Sequence, residues 1–394
     1  MIRDKHVVLG VTGSIAAFKA VDLASKLTQE GAKVDVIMTD SAQELVTPLT
    51  FRSITRRAVA TDMFDAESEW TVGHIALASR ADVVAIAPAT ANTMAKLACG
   101  IADDMLSCTV LATRAPVVLA PAMHTNMYQN PVTQENVAKL KERGFVFVGP
   151  VYGRLASGQR GPGRFAEVED ILGTIRQVLG RSGNLAGRRI VVSAGGTREP
   201  IDPARVIGNR SSGKMGYAIA EAARDRGADV VLVSAPTALR PPVGMEVVQV
   251  ETTIEMRDAV VAASANADAL VMAAAPADFR PTATADSKIK RKGDKLTLEL
   301  VENPDILGAV GDGIIRVGFA AESDNVVQNA TEKLKRKGLD LIAANDITAS
   351  DSGFDVDTNK VVLVDRDGNA EDLPLMSKYD VANHLLDRLV AMWK

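Results

Sequence analysis

The sequence predicts an α/β protein built from two consecutive three-layer, Rossmann-like domains with mostly parallel sheets. Three observations carry that expectation. Short apolar runs alternate with longer amphipathic stretches along the chain, which is the rhythm of strand and crossover helix. The rhythm halts at the glycine-rich, charged and aperiodic segments Gly180–Asn184 and Gly187–Arg189, then restarts, which marks a linker. The length of 394 residues, at about 150 per domain, suits two or three domains. The boundary is placed at residue 184, giving domains 1–184 and 185–394.

The elements follow in order. Val7–Leu9 reads as a buried strand, Gly10–Ser14 as a glycine turn, Ala16–Glu30 as an amphipathic helix and Lys33–Met38 as the next strand. Asp82–Ala87, Pro116–Ala120 and Phe145–Val148 are strand-like, Asn92–Ala112 and Pro131–Arg143 helical, and a further helix ends near Leu179. In the second half, strands are expected at Ile190–Ser193, Val230–Ser234 and Ala269–Ala273, and helices at Met215–Arg226 and Ile254–Ser264. A long loop separates Ser193 from Met215. Val361–Asp372 reads as a hairpin on an Asp-Gly turn, followed by a closing helix Lys378–Met392.

Composition narrows the function. Lys plus Arg total 45 against 49 Asp plus Glu, so no overall basic field exists to grip nucleic acid or an anionic membrane, and any phosphate is bound locally. Cys99 and Cys108, the two cysteines, show no CxxC spacing, which excludes a disulfide framework or zinc cluster and points to a reducing cytoplasm. Arg3 and Lys5 before Val7–Val11 imitate a signal peptide, but the apolar run is short and enters a βαβ pattern, so no targeting is expected. No run approaches the ~18 apolar residues of a membrane helix.

Candidate sites fall at the expected carboxyl ends of strands, where open α/β sheets bind ligands. Gly10 to Ala16 lacks GxGxxG spacing, yet Gly13 lets the backbone approach a ligand, and Ser14 at the helix start offers donors to one phosphate or caps the helix. Ala87–Thr93 brings small and hydroxyl residues to a sheet edge; an N-cap at Asn92 or Thr93 explains part of it. His74 and His124 stand singly, and a lone histidine is more often structural than catalytic. Gly153–Arg164 packs four glycines into a stretch resembling a mobile cover.

In the second half, Gly208–Met215 nearly matches the P-loop, but Met215 replaces the magnesium-binding hydroxyl; Ser211, Ser212 and Gly213 still form an anion cradle before a helix. Ser287–Lys292 supplies four cations, either a solvated loop or a phosphate clamp. Lys333 and Lys337, four apart on a predicted helix, share a face and could converge on one anion. Asp355–Lys360 begins like an EF-hand, but Lys360 and Arg366 replace its glycine and glutamate, so no metal cage is expected.

Taken in order, the first-half motifs resemble the flavin-dependent cysteine decarboxylases. More narrowly, nearly the whole chain resembles the bacterial bifunctional phosphopantothenoylcysteine synthetase/decarboxylases of coenzyme A biosynthesis. The second-half likeness rests on the Ser-Ala-Gly-Gly-Thr-Arg-Glu-Pro opening from Ser193, the Asn209 to Gly216 loop, Lys288-Ile-Lys290, Asn303–Ile306, Gly318–Glu322 and Ala344–Asp346. The resemblance implies that Gly13, Ser14, Thr39, Thr90, Asn92, Thr93 and Ser107 hold FMN and that His74 is the active-site histidine. FMN would oxidise the substrate thiol to a thioaldehyde, whose C=S group takes up the electrons released with carbon dioxide, and would then return electrons to the enethiolate.

Two positions depart from the family pattern. His124 stands where asparagine is expected, and Ser157 replaces a lid cysteine that donates a proton in many members. A hydroxyl is a far weaker acid than a thiol, so His124 is expected to share in substrate binding or protonation. For the second half the resemblance implies CTP activation of 4′-phosphopantothenate as an acyl-cytidylate, with Mg2+ arriving on CTP, and displacement of CMP by cysteine. Lys288 would meet the phosphates and Asn209 the acyl-cytidylate. Met272, Ala273, Ala274, Asp278, Pro304, Asp305, Ile306, Leu307, Phe319, Lys333 and Lys337 would form the CTP pocket. A large homo-oligomer of trimers and dimers is implied. The alternative reading is a synthetase joined to a non-catalytic, regulatory flavin-binding domain.

Overall fold

The computed structural model describes residues 2–64, 73–290, 296–322, 325–346 and 356–393. The chain divides into two compact units, Met1–Gly180 and Arg181–Lys394.

In the first unit, β1 (His6–Val11), β2 (Lys33–Met38), β3 (Val59–Ala60), β4 (Val83–Ala89), β5 (Val117–Pro121) and β6 (Val146–Phe147) lie in the order β3-β2-β1-β4-β5-β6, all parallel. Successive side chains of a strand face opposite ways, and both faces here are apolar. Val7, Leu9 and Val11 pack with Leu23 and Leu27 of helix Ala17–Gln29 and with Ile171 and Ile175 of helix Val168–Gly180. Val8, Val84 and Ile86 turn the other way, against Met94, Leu106, Val137 and Leu140.

The expected helix over 92–112 is two helices, Ala91–Cys99 and Met105–Ala112. Gly100 takes a left-handed φ of 73° as the first helix ends, and Asp104 opens the second with a capping box to Ser107. Apolar residues continue in both helices, so the pattern reads through the break.

The glycine-rich stretch forms an antiparallel hairpin of β7 (Val151–Arg154) and β8 (Arg160–Arg164). Two of its glycines serve close contact. A Cβ on Gly161 would stand 2.3 Å from Thr125 Oγ1, and one on Gly163 would stand 2.4 Å from Met123 O.

The second unit continues with β9 (Arg189–Ala194), β10 (Glu199–Asp202), β11 (Arg205–Ile207), β12 (Asp229–Ser234), β13 (Glu246–Gln249) and β14 (Ala269–Met272). Next come β15 (Phe279–Pro281), β16 (Leu300–Glu302), β17 (Ile315–Glu322), β18 (Leu341–Asp346), β19 (Thr358–Asn359), β20 (Val361–Asp365) and β21 (Ala370–Asp372). Its main sheet runs β13-β12-β9-β14-β17-β18-β20-β21, parallel from β13 to β18 and closed by the antiparallel β20–β21 hairpin. The Asp-Gly turn is as expected, with Asp365 Oδ1 accepting from the amides of Asp367 and Asn369.

Helices Lys214–Asp225 and Lys378–Met392 cover one face through Tyr217, Ile219, Val381 and Leu385. Helix Thr253–Ser264 covers the other through Met256 and Val260. The long loop after β9 contains a β10–β11 hairpin that the sequence rhythm did not reveal.

Helix Lys214–Asp225 lies so close to β9 that a Cβ on Gly216 would stand 2.6 Å from Ala194 Cβ and 2.7 Å from Ser193 O. Gly216→Ala is expected to push the helix off the sheet at a loss of about 1–3 kcal/mol. A lower urea midpoint for the second unit checks this; an unchanged midpoint refutes the close packing.

Candidate active sites

In the first unit the strand order reverses between β1 and β4, and a cavity of about 910 Å³ opens at the strands' carboxyl ends. It gathers Gly13, Ser14, Thr39, Thr90, Asn92, Thr93, His124 and Ser157, from five separate loops. Thr12 ties the two central turns together: its Oγ1 donates to Pro88 O at 2.7 Å and accepts from Thr90 N at 3.1 Å. The cap before helix Ala91–Cys99 is Thr90, whose Oγ1 accepts from Thr93 N at 3.2 Å.

Ser14 is not the N-cap. Helix Ala17–Gln29 starts behind Ala16 without a side-chain cap, and the Ser14 hydroxyl only approaches Ala16 N at 3.4 Å. The positive end of this helix therefore faces the cavity with no cap from its own N-cap residue and only the long Ser14 bond beside it. A Cβ on Gly13 would stand 2.4 Å from Ser41 Cβ, so only glycine fits the turn.

Two sequence candidates stand apart. His74 is half-buried at the start of helix Gly73–Arg80 and does not line the cavity, and Trp70 before it lies outside the described residues. Ser107 is 2% exposed and its hydroxyl is engaged with Asp104, at 2.8 Å from Oδ1. Its neighbours Asp104, Met105 and Leu106 do line the cavity. Burial pushes Asp104 up, but Lys96 and the Ser107 amide and hydroxyl outweigh it and hold the carboxyl below its ordinary value.

Other lining residues were missed. Ile15 and Phe18 are 62% and 61% exposed yet line the cavity, as does Met127. Apolar side chains left open in a concave, hydroxyl-rich cleft suit a flat aromatic ligand. The available signal was phase: Phe18 lies off the Ala17, Ala20, Ala24 and Leu27 stripe that enters the core. Arg154 and Arg164, from the hairpin, add cations to the rim. His124 caps the short helix Thr125–Tyr128, with Nδ1 accepting from Asn126 N at 3.3 Å. In the neutral ring that bond leaves the proton on Nε2.

The second unit has a cavity of about 510 Å³, reached by Asn209, Ala273, Ala274, Asp278, Phe319 and Lys333 among the expected residues. The expected cradle is present: Ser211, Ser212 and Gly213 line it, and helix Lys214–Asp225 starts at Gly213, φ 78°, without a side-chain cap. Asn209 Nδ2 donates to Pro276 O at 2.9 Å, and the Asn209 carbonyl presses on Gly196, whose Cβ would come within 2.6 Å.

Lys333 and Lys337 do not converge. Lys333 Nζ donates to Phe319 O at 2.8 Å, whereas Lys337 pairs with Asp305 Oδ2 at 2.8 Å. Asp305 and Lys337 do not line the cavity, nor do Pro304, Leu307 and Ile306, the last of which is 4% exposed in the core. Burial raises Asp305, but Lys337 holds it below its ordinary range. Met272 is buried, its sulfur 3.4 Å from Ser193 Oγ. Lys288 is exposed on a loop outside the lining, and Lys292 falls outside the described residues.

The missed residues come from the chain's far end. Lys378, 5% exposed, lines the cavity and donates to Val356 O; Asn359 and Asn345 join it. Of the segment that imitated an EF-hand, Asp355 lies outside the described residues, and Asn359 lines this cavity. Lys214 Nζ bonds Asp357 Oδ1 at 2.7 Å and draws that carboxyl below its ordinary value. Among the described residues no group of three or more His, Cys, Asp or Glu could hold a metal ion. No described helix is long and apolar enough to cross a membrane.

Two Rossmann-like units each open a cavity at their strands' carboxyl ends, the place where open α/β sheets bind ligands. Residues 1–180 match the Flavoprotein family, and residues 185–392 match the DNA/pantothenate metabolism flavoprotein C-terminal domain. A coenzyme A biosynthesis bifunctional protein CoaBC from Bacillus subtilis is 44% identical over 400 residues, covering 100% of this chain and 98% of its own. That of Mycobacterium tuberculosis is 43% identical over 410 residues, covering 98% and 96%.

Among solved structures, the C-terminal domain of a CoaBC protein shares 41% identity with a TM-score of 0.47, covering 54% of this chain and 98% of its own. A PPC decarboxylase mutant complexed with pantothenoylaminoethenethiol shares 36% identity with a TM-score of 0.41, covering 44% and 97%. The chain belongs to the family of bifunctional coenzyme A biosynthesis proteins, with a flavoprotein domain ahead of the pantothenate-metabolism domain.

Gly13→Ala must displace the β1 turn against Ser41, and flavin affinity is expected to fall by about tenfold or more. Flavin absorbance per protein, measured during titration, checks this; unchanged affinity would remove the turn from the flavin site.

Proposed function

We propose that this chain makes 4′-phosphopantetheine from 4′-phosphopantothenate and cysteine in two consecutive reactions. The second unit forms phosphopantothenoylcysteine at the expense of CTP, and the first decarboxylates it. The observation that carries this reading is the full-length 44% identity to a coenzyme A biosynthesis bifunctional protein.

In the first unit the reading assigns FMN to the large cavity. Gly13, Ser14 and the uncapped helix start would take its phosphate, Thr39, Thr90, Asn92 and Thr93 its polar edges, and Ile15 and Phe18 its ring. Bound FMN supplies two-electron oxidation and reduction at the substrate thiol. The chain's own residues do the rest. Arg154 on the hairpin offers a charge to an anionic substrate group, and Leu155 and Ala156 beside it line the cleft. With Nδ1 engaged by Asn126, His124 presents Nε2–H to the substrate, and Ser157 adds a hydroxyl from the hairpin turn. His74 remains assigned as the active-site histidine by likeness alone, and Ser107 as a support of the cavity wall.

In the second unit a carboxylate must approach a triphosphate, and like charges repel. Lys333 and the cradle at Gly213 lie where they can absorb that charge, and Lys288 on its exposed loop is assigned to the phosphates. Magnesium is assigned to the nucleotide, and no step here requires a protein ligand for it. Asn209, neutral and tied to Pro276 O, would orient the acyl-cytidylate without repelling it. The reading includes assembly into a homo-oligomer, for which Leu49, Leu111, Val132 and Tyr152, exposed at 68, 65, 63 and 70%, supply apolar surface. Free Cys99 and Cys108 suit a reducing cytoplasm.

Mass spectrometry of the chain with FMN, CTP, magnesium, cysteine and 4′-phosphopantothenate tests the whole reading. Accumulation of 4′-phosphopantetheine is expected; arrest at phosphopantothenoylcysteine would leave a ligase joined to a silent flavin domain. His124→Ala is expected to slow decarboxylation of supplied phosphopantothenoylcysteine by about a hundredfold, and a normal rate removes His124 from the mechanism. Asn209→Asp is expected to stall after activation, with acyl-cytidylate building up. Normal amide formation without that build-up would refute the role of Asn209.

A further inference from the structure

The loop that carries Lys288 and Lys290 has both flanking lysines exposed and only Ile289 between them partly buried. Ile289 is gripped by its main chain. Its N–H donates to Asp202 Oδ2 at 3.1 Å, and its carbonyl accepts from both Nη1 and Nη2 of Arg205, at 3.3 and 3.2 Å. Arg205 Nη1 also donates to Asp202 Oδ2 at 2.9 Å, closing the group on itself.

Asp202 is a costly residue to bury. Its side chain is 0% exposed, and its second oxygen accepts from Ala204 N at 2.8 Å. A buried carboxylate survives only when its lone pairs are met, and two of its donors, Ile289 N–H and Arg205, belong to the grip. Burial alone would raise its pKa, but the amides of Ala204 and Ile289 and the charge of Arg205 hold it below the ordinary value.

Both residues sit on the β10–β11 hairpin, which is itself fixed. At its start Glu199, 1% exposed, accepts from Thr253 N and Oγ1 at 2.9 and 2.8 Å at the head of helix Thr253–Ser264. Two more bonds lace the loop to the hairpin, Ala285 N to Ile201 O at 3.0 Å and Thr284 Oγ1 to Pro200 O at 3.1 Å. Two residues past β11 stands Asn209. The hairpin thus leads directly into one candidate reactive residue and holds the neighbour of another.

We infer that Asp202 and Arg205 are positioning residues for ligation, gripping the main chain of Ile289 so that Lys288 and Lys290 are presented to the nucleotide's phosphates in step with Asn209. This rests on the reading that Lys288 meets those phosphates. A forked guanidinium is required because one group must bond a carboxylate and a carbonyl together, which a single ammonium does poorly.

The test uses the full-length chain and two readings. Hydrogen exchange at the Ile289 amide is expected to quicken by about tenfold or more in Asp202→Asn and Arg205→Met, with Arg205→Lys between them and the native chain. Pyrophosphate release from CTP and 4′-phosphopantothenate is expected to fall by about the same factor with KM for CTP raised, while the first unit decarboxylates supplied phosphopantothenoylcysteine normally. Unchanged exchange at Ile289 in both variants overturns the grip. Faster exchange with native pyrophosphate release overturns its purpose. Native pyrophosphate release by Lys288→Ala would overturn the underlying reading of that lysine, separately from the exchange result. Should Asp202→Asn loosen β9 and β14 as well, Arg205→Lys decides by the same two readings.

Discussion

Neighbouring parallel strands cannot be joined by a tight turn, so each pair needs a crossover, and the crossovers place helices on both faces of the sheet. In both units this constraint leaves the strands buried on either side, with Val8 and Leu9 facing opposite cores at no exposure. The sheet faces are thereby closed to ligands, which are left the loops at the strands' carboxyl ends. Both cavities lie there, and each is built from loops far apart in sequence because the strand order brings distant strands side by side.

What could be read from sequence follows the same division. Residues of one strand-to-helix turn, such as Gly13 with Ser14 or Thr90 with Thr93, are legible as neighbours at a sheet edge, and they line one cavity. The caps are not legible, since Thr90 rather than Asn92 or Thr93 caps its helix and Ser14 does not cap its own. Breaks hidden inside a continuous apolar pattern are not legible either. The helix division at Gly100 to Asp104 depends on a left-handed glycine and a capping box, while the hydrophobic signal runs on through both halves. Lys333 and Lys337 share spacing but not partners, since the carbonyl of Phe319 and the carboxylate of Asp305 come from other parts of the fold. The family resemblance implies that Ser107 holds FMN, but its hydroxyl is engaged with Asp104, a partner that depends on the capping box opening the second helix.

Charge in these units is handled by enclosure as much as by exposure. Asp202, and Arg224 with Asp225, are buried groups matched by neighbours: Asp202 by Arg205, whose side chain is 37% exposed, and Asp225 by the half-buried Tyr379. At the cavities Arg154, Arg164 and Lys333 stay at least partly open to solvent, whereas Lys378 is 5% exposed. Exposure alone therefore does not mark which charges meet a ligand; the partners around each side chain do.

The wall of the second cavity that holds Lys378 and Asn359 comes from the end of the chain, whereas the first cavity is assembled entirely from residues within Met1–Gly180. A ribosome therefore releases every residue of the flavin cleft long before it releases the last residue of the ligase site. Synthesis runs opposite to chemistry: the unit assigned to the later reaction is the earlier one able to mature. A nascent chain interrupted near residue 300 would carry a finished cleft with no means of making its own substrate, so each new molecule acquires the supplying reaction last.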